Sequence, residues 1–100
     1  MCSNNGNSNI ESKMNKIFKN KTILITGGTG SFGQKFVAYL LKNTNIKKIK
    51  IFSRDEQKQF QMQKTFKSNK LRFLIGDVRD YGRLNFAMKE TDFVIHAAAL

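Results

Sequence analysis

One hundred residues, 40% of them hydrophobic, can form a single modest domain, yet a parallel sheet covered on both faces usually needs more chain than this. The formal charge of +11 favours a phosphate-rich partner in principle, but the cations (Lys13, Lys16, Lys42, Lys47, Lys70 and others) are scattered. They lack the dense run and aromatic interleaving of a nucleic-acid groove, so a solvated surface and no nucleic-acid partner are expected. A lone Cys2 excludes an intrachain disulfide and has no metal-ligand partners beside it, and neither a membrane span nor the apolar core of a signal peptide is present. The expectation is a cytoplasmic protein with no metal site and no membrane partner.

Residues 1–15 are Asn, Ser, Gly and charge, which reads as a disordered arm. Residues 16–100 then alternate β-branched or aromatic runs with helical patterns, the signature of successive βαβ units and a parallel sheet. The first strand is the apolar run Thr22 to Ile25, of the kind buried on both faces. A Gly-rich turn leads to a helix over about Ser31 to Asn43, whose Phe32, Phe36, Val37, Leu40 and Leu41 should pack on the sheet. Lys48 to Phe52 reads as the second strand and Asp55 to about Phe66 as a polar helix resting on Phe60, Met62 and Phe66. Leu71 to Ile75 is the third strand, Tyr81 to Met88 a helix with Tyr81, Leu84 and Met88 on one face, and Phe93 to Ile95 the fourth strand.

For a strand order running outward as 3-2-1, with strand four on the other side of strand one, right-handed crossovers put the first two helices on the same face. The fold class is therefore α/β, a doubly wound parallel sheet of Rossmann type, present as its N-terminal half. Because Met1 opens the chain, the remainder is expected beyond Leu100. The reversal of order beside strand one leaves a crevice, where open α/β sheets bind ligands.

The loops at that edge carry the chemistry. Gly27, Gly30 and Gly33 are spaced G-x-x-G-x-x-G between a strand and a helix. Gly27 permits the tight exit from the strand, Gly30 admits a pyrophosphate close to the backbone, and Gly33 lets the helix pack closely on the sheet. Backbone N–H groups from Gly30 to Phe32, the helix dipole and the Ser31 hydroxyl would hold the phosphates. No Gly-Lys-Ser or Gly-Lys-Thr follows, which excludes a triphosphate P-loop, and a dinucleotide is expected.

At the end of strand two stand Ser53 and Arg54, where an NAD site places a carboxylate for the ribose 2′-hydroxyl. A hydroxyl and a guanidinium suit a 2′-phosphate, so NADP is expected. Asp55 either joins that site or caps the second helix, and Lys58, one turn on, is expected to face the same phosphate as Arg54. After strand three, Asp77 with Val78 can receive and cover an adenine, although Asp77 or Asp80 could equally cap the next helix. The small residues Ala97, Ala98 and Ala99 leave room for a ribose and nicotinamide. His96 is read as a packed, hydrogen-bonded side chain rather than a metal ligand or base, since no partner acid or second ligand is in sight.

The TGGTGSFG loop, the Ser53 to Lys58 segment, Gly76-Asp77-Val78-Arg79-Asp80 and His96-Ala97-Ala98-Ala99-Leu100 together resemble the extended short-chain dehydrogenases, from about Lys21 to the end. The SRDEQKQ and GDVRDYGRL stretches resemble, more narrowly, the nucleotide-sugar 4,6-dehydratases acting on UDP-N-acetylglucosamine in polysaccharide and glycan biosynthesis. That resemblance implies a tightly held NADP that takes a hydride from sugar C4, permits water loss across C5 and C6, and returns the hydride to C6. It also implies a homo-oligomeric parent, with Thr29 to Phe32 on the phosphates, Ser53, Arg54 and Lys58 on the 2′-phosphate, Asp77 and Val78 on the adenine, and Ala97 at the ribose. One departure matters: the Tyr-x-x-x-Lys pair of that family is absent, for Tyr39 precedes Lys42 by three residues and Tyr81 is followed by Asn85 at the needed place. No catalytic residue is therefore assigned, and these 100 residues alone are expected to be inactive.

Overall fold

The computed structural model describes residue 10 and residues 12–97; the expectations for residues 1–9, for Ala98 and Ala99 and for Leu100 lie outside the described residues. Residues 12–18 form a helix, here α1. It is followed by β1 (Thr22–Thr26), α2 (Ser31–Asn43), β2 (Lys48–Ser53), α3 (Glu56–Phe66), β3 (Leu71–Ile75), α4 (Tyr81–Met88) and β4 (Phe93–His96).

Helix α1 corrects the expected arm, whose disorder was to extend to residue 15. Met14 and Phe18 stand one turn apart and both meet the core: Phe18 is buried, and Met14 packs against the same cluster. Phe18 meets Phe36 and Phe93 edge-on, with ring centroids 6.4 and 5.4 Å away. Burial of one aromatic ring is enough to anchor a short polar helix that propensity alone would not hold.

The four strands form one parallel sheet in the order β3-β2-β1-β4. All five residues of β1 are buried, as expected of a central strand with helices on both faces. Successive side chains alternate between the faces. Ile23, Ile25, Ile49 and Ile51 meet Val37 and Leu40 of α2 and Met62 of α3, whereas Leu24 and Phe52 meet Ala87 of α4. The sheet is therefore doubly wound, with α2 and α3 on one face and α4 on the other.

The expected stripes are met in part: Phe36, Val37, Leu40 and Leu41 of α2, Met62 and Phe66 of α3 and Leu84 of α4 pack on the core, while Phe32, Phe60, Tyr81 and Met88 turn outward. In α2 the buried residues are Gly33, Val37 and Leu40, while Phe32 is 59% exposed and lies stacked on Phe36 instead. In α3 they are Gln59 and Met62; Phe60 faces solvent beneath the Lys64 ammonium, 4.5 Å from the ring centre. In α4 only Ala87 is buried, with Tyr81 and Met88 exposed and Leu84 half-buried. Close approach to a sheet favours small or slender residues on the contact line, which moves the large aromatics to its flanks.

Candidate functional site

The carboxyl ends of β1, β2 and β3 open onto a crevice of about 300 Å³ whose floor and walls include Gly27, Phe52, Ser53 and Val78. Each loop reaches it by a specific backbone device. Gly27 leaves β1 at φ 69°, a conformation that suits glycine, with its N–H donating to Phe52 O at 2.8 Å. Its carbonyl accepts from Gly30 N at 3.2 Å, closing the turn.

The other two glycines of the G-x-x-G-x-x-G spacing differ in kind. A Cβ on Gly33 would stand 2.5 Å from Gly28 O, so this glycine lets α2 approach the backbone of its own loop rather than the sheet. A Cβ on Gly30 would meet nothing nearer than Gly27 O at 3.6 Å. The fold itself does not require glycine there.

Gly30 is also the N-cap of α2, with no side chain bonded to the helix end and no acidic residue in its first turn. The N–H groups and dipole of that end remain available to an anion. Ser31 and Phe32 are exposed beside it, and Thr29 is buried with its carbonyl held by Gln34 Nε2 at 2.8 Å, so Thr29 serves the loop's shape.

At the end of β2, Ser53 is 8% exposed and its hydroxyl accepts a hydrogen bond from Gln59 Nε2 at 3.0 Å. Arg54 is largely exposed at the crevice wall. Asp55 caps α3, accepting from Lys58 N at 3.0 Å, so its carboxylate is turned to the helix and not into the crevice. Lys58 is exposed on α3 and does not line the crevice, against the expectation that it shares a phosphate with Arg54.

At the end of β3, Gly76 N donates to Ser53 O at 2.9 Å and the chain passes so close to the Phe52 ring that a Cβ on Gly76 would lie 2.5 Å from it. Asp80 takes the cap of α4 through Arg83 N, which leaves Asp77 at the crevice. The Asp77 carboxylate accepts from the Arg79 side chain at 2.7 Å and from its backbone N–H at 2.9 Å, with Arg54 3.6 Å away. The Arg79 hydrogen bonds, with Arg54 adding a smaller attraction, hold the Asp77 carboxyl down at about 2. Val78 supplies an exposed apolar wall.

On the other side of β1, His96 Nδ1 and Thr26 Oγ1 are 2.6 Å apart, so His96 is hydrogen-bonded as expected but exposed rather than packed. Ala97 N donates to Thr26 O at 2.8 Å and its side chain packs against the first core cluster, outside the crevice. Among the described residues no group of three His, Cys, Asp or Glu side chains gathers in one place, and no helix is long and apolar enough to cross a membrane.

The structure thus gathers Gly27, Ser53, Arg54, Asp77 and Val78 in one crevice, beside the open end of α2 that carries Gly30, Ser31 and Phe32. Two contributors went unread in the sequence. Arg79 lay within a quoted motif, and its spacing of two from Asp77, the reach of a local Asx-type bond, was the available signal. Gln59 gave no signal, because a glutamine in a polar helix reads as solvent-facing.

Residues 23–100 match the family described as polysaccharide biosynthesis protein. Among curated relatives, a UDP-N-acetylglucosamine 4,6-dehydratase (inverting) of Campylobacter jejuni is 58% identical over 84 residues, covering 84% of this chain and 25% of the relative. A UDP-glucose 4-epimerase of Rickettsia bellii is 53% identical over 87 residues, covering 84% of this chain and 26% of the relative. The chain therefore spans about a quarter of the length of these relatives. Among solved structures, Pen from Bacillus thuringiensis superposes with a TM-score of 0.77 at 42% identity, over 83% of this chain and 27% of that one. A short-chain dehydrogenase/reductase of Veillonella parvula in complex with NADP gives 0.66 at 25% identity, over 78% and 35%. DesIV of Streptomyces venezuelae, a dTDP-glucose 4,6-dehydratase with NAD bound, gives 0.67 at 26% identity, over 79% and 26%.

Proposed function

The chain belongs to the polysaccharide biosynthesis protein family, and from that membership we propose that it forms the NADP-binding part of a UDP-N-acetylglucosamine 4,6-dehydratase, a homo-oligomeric enzyme of the cytoplasm. The observation that carries the cofactor reading is the junction of an open helix N-terminus with a crevice bearing a hydroxyl and a guanidinium at the end of β2. The α2 end takes the pyrophosphate through N–H groups next to Gly30, where the missing side chain leaves room. Ser53 and Arg54 take the 2′-phosphate. Val78 covers one face of the adenine, and Asp77, held by Arg79, keeps lone-pair capacity for its amine. Ala97 borders the ribose.

NADP rather than NAD follows from the residue types. A carboxylate at the end of β2 would repel a 2′-phosphate, and the acid that follows Arg54 in the chain, Asp55, is engaged as a helix cap. The Veillonella neighbour holds NADP and DesIV holds NAD, so the fold accepts either and the residues at this one place decide.

When bound, the nicotinamide supplies a hydride acceptor and donor for chemistry at the sugar; this chain's residues bind and orient it. The dehydratase reading is supported over the epimerase one by the higher identity over a similar stretch, and both relatives are named for UDP-sugars. The test is incubation of the whole protein with UDP-N-acetylglucosamine and carbon NMR of the product. A 4-keto-6-deoxy sugar nucleotide supports the reading, and a C4 epimer replaces it with a nucleotide-sugar epimerase, another extended short-chain dehydrogenase.

A further inference from the structure

Gln59 is a polar side chain 3% exposed on the sheet-facing side of α3, where an apolar residue would ordinarily sit. Its amide has two hydrogens, and the two shortest contacts of Nε2 take them: Ser53 Oγ at 3.0 Å and Leu74 O at 3.0 Å, with Ser53 O a longer third at 3.5 Å. These two acceptors belong to the ends of adjacent strands, β2 and β3. The glutamine therefore ties together the two loops that form the crevice, at the level where they leave the sheet.

The bond to Ser53 has a directional consequence. A hydroxyl has one hydrogen and two lone pairs. With Gln59 donating to Ser53 Oγ from the helix side, one lone pair is occupied and the hydroxyl hydrogen is left for an acceptor elsewhere. Ser53 lines the crevice. We propose that Gln59 is a positioning residue for cofactor selection: it orients the Ser53 hydroxyl as a hydrogen-bond donor toward the crevice, where a phosphate oxygen accepts it. The proposal rests on the reading of Ser53 and Arg54 as the 2′-phosphate end of the site.

A residue that only glued α3 to the sheet would affect both dinucleotides alike. A residue that sets the direction of the Ser53 hydroxyl affects NADP, which offers phosphate acceptors there, far more than NAD. Its effect also vanishes when the hydroxyl is removed.

The test is calorimetric titration of the protein with NADP and with NAD, for the wild type, Gln59→Met, Ser53→Ala and the double variant. Methionine keeps length and burial and removes both donors. Loss of one hydrogen bond to a charged group corresponds to about tenfold in affinity. The expected pattern is an NADP affinity about tenfold lower for Gln59→Met with NAD nearly unchanged, and no further loss on adding Gln59→Met to Ser53→Ala. Equal losses for both dinucleotides, or an undiminished effect of Gln59→Met without the Ser53 hydroxyl, would reduce Gln59 to a structural tie. If Gln59→Met does not fold, Gln59→Leu, which also lacks both donors, carries the same comparison: equal change for the two dinucleotides overturns the proposal and a selective NADP loss supports it. Unchanged NADP affinity in Ser53→Ala overturns it independently. Arg54→Ala, run beside these, separates the two levels. A selective NADP loss there with none for Gln59→Met refutes only the role of Gln59, whereas equal loss of both dinucleotides refutes the 2′-phosphate reading and the proposal with it.

Discussion

Arg79 grips the carboxylate of Asp77 twice, through its guanidinium at 2.7 Å and its own backbone N–H at 2.9 Å. Both residues lie on the short loop between β3 and α4, so the contact costs little ordering beyond the turn itself. It fixes Asp77 as a charged acceptor at the crevice and leaves Arg54, 3.6 Å away, the looser partner. An anion arriving from solvent can therefore recruit Arg54 without stripping Asp77 of its main partner.

The pH response follows from that contact. The folded-state value of Asp77 is depressed to about 2 from an ordinary 3.8, so its ion pair is present above pH 4 and is lost as pH falls toward 2. A phosphate monoester takes up a proton near pH 6. Between pH 5 and 8, then, NAD affinity is expected to stay flat, while NADP affinity falls below about pH 6 as the 2′-phosphate loses charge. Calorimetric titrations across that range check this, and parallel curves for the two dinucleotides would contradict it.

The two loop glycines are expected to fail in opposite ways. Gly30→Ala places its Cβ 3.6 Å from the nearest chain atom, so stability should change by no more than about 0.5 kcal/mol. Dinucleotide affinity should fall at least about tenfold, because the Cβ stands where the pyrophosphate approaches. Gly33→Ala drives its Cβ to 2.5 Å from Gly28 O and should destabilise the fold by about 1–3 kcal/mol. Urea denaturation beside binding separates the outcomes.

Leu40, fully buried between α2 and the sheet, should carry a core penalty of about 2–5 kcal/mol when replaced by alanine. Phe60, 56% exposed on α3, should tolerate alanine within about 0.5 kcal/mol. The comparison by denaturant midpoint tests the observed rotation of α3, since the stripe expected from the sequence would make Phe60 costly.

That rotation shows where the sequence was readable and where it was not. Strand β1 was legible because an unbroken apolar run has one comfortable place, the centre of a doubly covered sheet. The order β3-β2-β1-β4 followed from the doubly wound pattern of alternating strands and helices, with right-handed crossovers then fixing the face each helix takes. Most of the helix stripes were legible, Val37 and Leu40 of α2 and Met62 of α3 among them, but Phe32, Phe60 and Tyr81 were misplaced because tight packing turned these large rings away from the contact line. Helix α1 was missed because its anchoring is tertiary, through Phe18 against Phe36 and Phe93.

The site divides in the same way. Gly27, Ser53, Arg54, Asp77 and Val78 were legible from loop position after each strand, and they meet in one crevice. Lys58 lies outside the crevice lining, and helical periodicity does not fix which way a long, exposed side chain points. Gln59 was illegible because its burial depends on two acceptors, Ser53 Oγ and Leu74 O, that only the assembled sheet brings together.

Supplied with saturating NADP and UDP-N-acetylglucosamine, these 100 residues are expected to bind the cofactor and form no 4-keto product, because they contain no Tyr-x-x-x-Lys pair. Carbon NMR of the sugar nucleotide after prolonged incubation reads this directly. A keto product would show that the chemistry runs on groups other than that pair.

Paired titration of NADP and NAD into the wild type and Arg54→Ala is the most direct measurement of all. The expected result is tighter binding of NADP by the wild type, with Arg54→Ala lowering NADP affinity by about tenfold to a hundredfold while leaving NAD nearly unchanged. Equal affinity of the wild type for both dinucleotides, or equal loss of both in Arg54→Ala, would contradict the assignment of this crevice to the 2′-phosphate of NADP.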